Sequence, residues 1–237
     1  MNFKNIITLL ILMAVPSALD GSIGSTAVQT NDFDAYGGGS GIITQSGSNI
    51  AIVDRYSDRN YVDQYNEKDA TLNSKGNSVI NQNVTNYAAV FDKGYDNQVD
   101  QDNVGWAYTH ANAINAKIFQ IDLNLAFVGQ SGGSTNGLVD QDNNQTAYVS
   151  EGINNTISQT LINIGSIDGF ANQLIQNNTD SAMNDGNNTP IIQDDSNLGW
   201  ITGSNNSLQQ SNVASAVINQ TSAGPIIQNK QNLGIIS

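Results

Sequence analysis

Of the side chains suited to acid–base or metal chemistry, this sequence is rich only in aspartate. There are two glutamates (Glu67 and Glu151), one histidine (His110) and no cysteine. Paired carboxylates hydrolyse glycosides, and many solenoid proteins act on polysaccharides, but neither glutamate neighbours a distinctive acidic cluster. One histidine cannot build a His-based zinc centre, and without thiolates there is no cysteine metal site and no disulfide framework. His110 lies in Thr109-His110-Ala111-Asn112, between repeated units, and reads as a solvated turn residue. Asp100, Asp102, Asp140 and Asp142 stand in two copies of Val-Asp-Gln-Asp-Asn. Carboxylates suit hard cations such as calcium. The plainer reading is a solvated acidic surface that limits association. No catalytic, metal or cofactor-binding residue emerges, and no enzyme activity is expected.

Seven Asn-x-Ser/Thr sequons, at Asn83, Asn144, Asn154, Asn177, Asn187, Asn205 and Asn219, are candidate glycosylation sites. The aromatics Tyr56, Tyr61, Tyr65, Tyr87, Tyr95, Trp106, Tyr108, Tyr148 and Trp200 could contact sugar faces, but cross-strand packing is the simpler account.

What the chain does have is amides. Of its 237 residues, 35 are Asn and 19 are Gln. With 8 Lys and Arg against 21 Asp and Glu, a nucleic-acid partner would be repelled. A hydrophobic share of 38% is too high for a disordered acidic tail, so a core is expected. Lys4 is followed by an apolar run from Ile6 to Val15 and then Pro16. That run is too short to span a bilayer and matches a secretory signal. Ser25-Thr26-Ala27 suits cleavage, as does Ala18, so residues 1–27 are assigned to a signal peptide cut between about 18 and 27. The mature chain is expected to be extracellular, at a cell surface or sheath, with no membrane insertion after cleavage. Residues 28–41, with Gly37-Gly38-Gly39, read as a flexible Gly-rich leader, and 42–237 as one β-repeat domain.

The domain assignment rests on a repeat. Gln45, Gln64, Gln82, Gln101, Gln120, Gln141, Gln159, Gln176, Gln193, Gln210 and Gln228 recur at spacings of 17 to 21 residues. Two residues before each Gln stands Ile, Val or Leu, six after stands Ala or Gly, and eight after an aliphatic residue in nine of eleven units. Even offsets share one face of a strand. Turn-rich stretches of Gly, Asn, Asp and Ser separate the units, and no helical period appears. The fold class is therefore all-β, a repetitive β-arch or β-solenoid of eleven units of about 18 residues with Gln and Asn ladders.

Two kinds of unit alternate. One carries Asn four residues after the Gln (Asn49, Asn86, Asn124, Asn163, Asn197, Asn232). The other carries it two residues after (Asn66, Asn103, Asn143, Asn178, Asn212). A buried amide left unpaired costs about 1–3 kcal/mol. Identical amides stacked at the strand spacing satisfy one another, but only if like sits on like. The superperiod near 37 residues thus predicts a rung of two units, one on each of two facing sheets. Asn86 is then expected beside Asn49 and Asn124 rather than beside Asn103.

The unit Ile43-Thr44-Gln45-Ser46-Gly47-Ser48-Asn49-Ile50-Ala51-Ile52-Val53 resembles a curlin repeat, the unit of the functional amyloid of bacterial surface fibres. That family has a Gln, Gly, Asn, Ala pattern on strand-turn-strand units of similar length. The resemblance runs from Ile42 to the C-terminus, about 190 residues. The Gln-to-Asn and Gln-to-Ala distances are one residue shorter than in curlin, its second Gln is generally missing, and Gly at +2 occurs only as Gly47. In general character the chain also resembles the amyloid-like sheath proteins of filamentous methanogenic archaea, which stack as β-arches into rings around cells. These resemblances imply a secreted structural polymer whose partner is itself. The alternative is a monomeric β-solenoid adhesin or glycan-binding surface protein. Cell-surface polysaccharide and cations are secondary candidate partners.

Overall fold

A strand whose apolar and amide residues share one face cannot bury that face alone, so units must cover one another. The computed structural model describes residues 14–20, 26–38, 41–54, 59–73, 77–90, 94–110, 113–129, 134–150, 152–185, 190–218 and 224–237. In chain order the strands are β1 (Ala14–Asp20), β2 (Thr26–Gly38), β3 (Gly41–Asp54), β4 (Tyr61–Asn73), β5 (Ser78–Val90), β6 (Gly94–Tyr95), β7 (Gln98–His110), β8 (Ala113–Ile114), β9 (Lys117–Val128), β10 (Ser134–Thr135), β11 (Leu138–Val149), β12 (Gly152–Ile153), β13 (Thr156–Phe170), β14 (Gln173–Asn184), β15 (Ile191–Ser204), β16 (Ser207–Ile218) and β17 (Ile226–Ile236). No helix occurs among the described residues.

The long strands alternate between two parallel sheets. Sheet A runs β1-β3-β5-β9-β13-β15-β17 and sheet B runs β2-β4-β7-β11-β14-β16. Each turn of the β-solenoid therefore takes one unit from each sheet. Gln pairs with Gln at every step, for example Gln45↔Gln82↔Gln120 in sheet A and Gln64↔Gln101↔Gln141 in sheet B. Asn86 lies between Asn49 and Asn124 in its sheet, as the superperiod requires.

One expectation is corrected. Of the stretch 28–41 read as a flexible leader, residues 28–38 belong to β2, which pairs with β4 in full register, Gln29↔Gln64, Asn31↔Asn66 and Ala35↔Ala70, while 39 and 40 lie outside the described residues. Strand β2 is a twelfth unit. It escapes the pattern because Ala27 replaces the aliphatic residue before the Gln and Gly37 the one at +8. Within the stretch assigned to the signal peptide, β1 pairs with β3 from Ala14↔Ser48 to Asp20↔Asp54.

The corners have their own chemistry. The residue five before the Gln is left-handed in seven units: Arg59, Asp96, Asn115, Asn136, Asn154, Ala171 and Asn205, with φ from 54 to 61°. The next residue points inward, and Asn60, Asn97, Asn155 and Asn172 are buried there. The side-chain oxygens of three of them cap the adjacent rung: Asn60 N donates to Asn97 Oδ1 at 3.2 Å, Gly137 N to Asn172 Oδ1 at 2.8 Å and Ala116 N to Asn155 Oδ1 at 2.9 Å. Asparagine serves both positions because it tolerates positive φ and mimics a backbone carbonyl.

Two apolar seams close the interior at its edges. In one, Val53, Val90, Val128, Ile167 and Ile201 of sheet A meet Val62, Val99, Val139 and Leu174 of sheet B. In the other, Ile43, Ile80, Ile118, Ile157 and Ile191 meet Leu72 and Val149. Each fully buried aliphatic contributes about 1.5–3 kcal/mol.

Candidate functional site

Between the seams lie the amides, all buried except near the last rung. In each sheet every Gln after the first donates to the Gln of the rung before it. The Nε2···Oε1 distances are 2.6–3.0 Å from Gln82 to Gln228 in sheet A. They are 2.8–2.9 Å from Gln64 to Gln210 in sheet B. The amide also reaches across to the facing sheet, to the carbonyl five residues after a Gln, such as Tyr87 O from Gln64 (2.9 Å) and Leu125 O from Gln101 (3.0 Å); Gln45 and Gln82 also reach the carbonyl one residue earlier, Phe33 O (2.7 Å) and Lys68 O (3.0 Å). The residue after the carbonyl at +5 is the invariant Ala or Gly, and the crossing explains its size. A Cβ on Gly165 would lie 2.6 Å from Leu174 Cδ1 and 3.0 Å from Gln141 Oε1.

The two Asn columns face each other. Within a sheet each Asn donates to the next rung, Asn49 to Asn86 and Asn86 to Asn124, both at 3.1 Å. Across the interior the same amides bond alternately: Asn49 to Asn66 at 3.2 Å, Asn66 to Asn86 at 2.8 Å, Asn86 to Asn103 at 3.1 Å, Asn103 to Asn124 at 2.9 Å. The zigzag starts at Asn31 and continues through Asn143, Asn163, Asn178, Asn197 and Asn212 to Asn232. Asn86 thus touches both its in-sheet neighbours and Asn103. The in-sheet contacts were expected; the cross-sheet bond to Asn103 was not.

One interior lane does not repeat. It pairs the residue at +2 in sheet A with that at +4 in sheet B. Phe33 fills the space beside Gly47, where a Cβ would be 2.7 Å from its ring. Lys68 crosses the space left by Gly105 and forms an ion pair with Asp122, both fully buried. Burial lowers the Lys68 pKa and raises that of Asp122, and each opposes the shift of the other. Further along, Asp180 and Asp195 are both buried, and no donor reaches any of their four carboxylate oxygens. Burial and mutual repulsion raise Asp180 well above the usual carboxylate range, and burial raises Asp195, so the pair keeps a proton.

On the outer face of sheet B, Asp63, Asp100 and Asp140 align in one column and Asp102 with Asp142 in the next. Partial burial first, then neighbouring carboxylates, push Asp102 to about 7 and Asp140 to about 6. No group of three or more metal-binding side chains arranged to hold an ion occurs among the described residues. Glu67 accepts a hydrogen bond from Tyr65 at 2.9 Å. The His110 side chain and Glu151 lie outside the described residues.

Of the sequons, Asn83, Asn144, Asn154 and Asn205 are exposed. Asn177 is half-buried and donates to Asp142 at 2.9 Å. Asn187 and Asn219 lie outside the described residues, as does Tyr56. The outer aromatics include stacked pairs: Tyr108 with Tyr148 (5.1 Å) and Trp106 with Tyr108 (5.8 Å). No protein-family model matches the chain, and no curated protein sequence matches it.

Proposed function

We propose that this chain is a secreted structural protein that polymerises by stacking its β-solenoid end to end into an extracellular fibre or cell sheath. The observation that carries this reading is the match between the two ends. At one end, among the described residues, β17 pairs only with β15 and β16 only with β14. Ile226 (45%), Leu233 (55%) and Ile236 (55%) are exposed there. That end leaves open the Oε1 acceptors of Gln210 and Gln228, because each Gln bonds backwards. At the other end β2 and β3 carry Gln29 and Gln45 at the matching register positions, and Gln45 Nε2 donates to Phe33 O and Asp69 O. Laid on the far end of a second copy, β2 continues β16 and β3 continues β17. Asn212 then meets Asn31, Asn232 meets Asn49, and Leu208 and Ile226 meet Ala27 and Ile43. An open parallel edge with this complementarity invites a further strand.

The curlin-like unit and the signal-like first segment support the extracellular placement, and stacking of β3 on a partner's β17 requires the β1 segment to be gone. Electron microscopy and fibre diffraction of the mature chain test the reading. The expected result is polymers with reflections near 4.8 Å along the axis and about 10 Å across it. A monodisperse monomer at high concentration refutes it and favours an adhesin.

A further inference from the structure

The outer face of sheet B has one break in its regularity. At +7 the lane runs Tyr36, Thr71, Tyr108, Tyr148, and at +5 it runs Asp34, Asp69, Trp106, Thr146. Thr71 is the short member between two tyrosines. Two rungs separate Tyr36 from Tyr108, roughly 9.6 Å at the usual strand spacing, so one layer is absent from the aromatic column. The result is a groove of about 370 Å³ lined by Asp34, Ala35, Tyr36, Asp69, Thr71 and Trp106. Trp106 closes one side and remains 42% exposed. Its neighbours on the preceding rungs are the short side chains Asp69 and Asp34, so nothing in its own lane stacks on that side.

The groove is anionic as well as aromatic. Asp32 and Glu67 stand on the lane beside Asp34 and Asp69. No lysine or arginine occupies an outward position of β2, β4 or β7. Partial burial, then Glu67, Asp34 and Asp32, raise the Asp69 pKa. Anionic polymers are repelled from such a face, and a neutral sugar would leave the charge uncompensated. A ligand that relieves it carries a positive group and a ring-sized apolar face for the open tryptophan.

We propose that this groove binds an amino-sugar residue of a polysaccharide, its ammonium group between Asp34 and Asp69 and its ring face against Trp106. Solenoid stacking leaves the groove accessible, because the groove opens sideways and stacking uses the edges. The protein would thereby be anchored to a cationic glycan along its flank.

The test is binding of the β-1,4-linked glucosamine tetramer to the full mature chain. Trp106 fluorescence is read in a Trp200→Phe background, with circular dichroism to confirm folding. Saturable quenching is expected, weakened at least tenfold by Asp34→Asn/Asp69→Asn. In Trp106→Ala, binding read by calorimetry should weaken similarly. Equal binding of the glucose tetramer would show that the ammonium is not recognised. Equal binding of tetralysine, or binding untouched by Trp106→Ala, would show charge attraction alone. Either outcome, or no saturable binding of the glucosamine tetramer, overturns the proposal. None bears on polymerisation, which microscopy reads separately.

Discussion

Asn124 is the place to break the amide interior. Its Nδ2 lies within 3.0–3.1 Å of Gln101 O, Asp142 O, Asn143 Oδ1 and Asn163 Oδ1, and its Oδ1 accepts from Asn86 and Asn103. In Asn124→Ala, Asn86 still has acceptors in Gln64 O, Asp102 O and Asn103 Oδ1. Asn103 does not: its Nδ2 reaches only Asn124 and Asn143, so one buried N–H is orphaned. An orphaned buried donor costs about 1–3 kcal/mol, and the lost net bonds add about 1 kcal/mol. The expected loss is about 2–4 kcal/mol. For a chain of this size that lowers Tm by about 4–16 °C. Asn232→Ala removes the same group from the last rung, where Asn197 keeps acceptors in Gln176 O, Ser211 O and Asn212 Oδ1 and the half-buried Asn212 keeps Gln231 O, and should cost less than about 1 kcal/mol. Scanning calorimetry of dilute, unpolymerised protein measures both. Equal losses at the two positions would refute the claim that the zigzag is a buried, continuous network.

Four further outcomes are expected. Lys68→Met strands Asp122 without its cation and should cost about 3–5 kcal/mol, while Lys68→Met/Asp122→Leu should recover most of it in denaturant titrations. A double variant no better than the single one would mean that the pair does not interact. Gly165→Ala should cost about 1–3 kcal/mol by overpacking against Leu174 and Gln141; an unchanged midpoint contradicts the close facing of Gln and small residue. Ala171→Gly should raise stability by about 1 kcal/mol, because the native φ of 55° is strained for alanine; a loss in the same titration would mean that the alanine side chain matters more than the strain.

Stability should also fall with pH. Asp100, Asp102, Asp140, Asp180 and Asp195 all titrate higher folded than unfolded, Asp102 near 7 and Asp140 near 6. Between about pH 4 and pH 7 the folded chain then binds more protons than the unfolded chain, so stability drops across that window. A Tm that rises from pH 5 to pH 8 would refute this.

The repeat was legible because the even offsets of Gln, Asn, Ala and Ile fix one face of each strand, and alternation of Asn at +4 and +2 fixes a two-unit turn. The facing of the sheets was less so, although its rule is simple. The two strands of a turn run in opposite directions, so interior positions face one another when their offsets sum to six. Asn at +4 therefore meets Asn at +2, and Gln meets the small residue at +6. Gln29 was hidden because Ala27 and Gly37 stand where aliphatic residues mark the other units. The Lys68–Asp122 pair had no signal at all. Its members are 54 residues apart, and only the facing rule and the glycine at 105 bring them within reach.

The opposed directions of the amide columns have an electrical consequence. Each Gln donates toward the N-terminal end and each Asn toward the C-terminal end, so the dipoles of the two sets point oppositely. An α-helix, whose peptide dipoles all align, accumulates about half a charge at each terminus. Here the sum largely cancels, and lengthening the stack adds no field at its tips. A growing end would then look the same to an incoming copy after one subunit or a thousand, without attracting counter-ions. A copy arriving upside down would place acceptor against acceptor and donor against donor, so polarity is selected locally, one amide at a time.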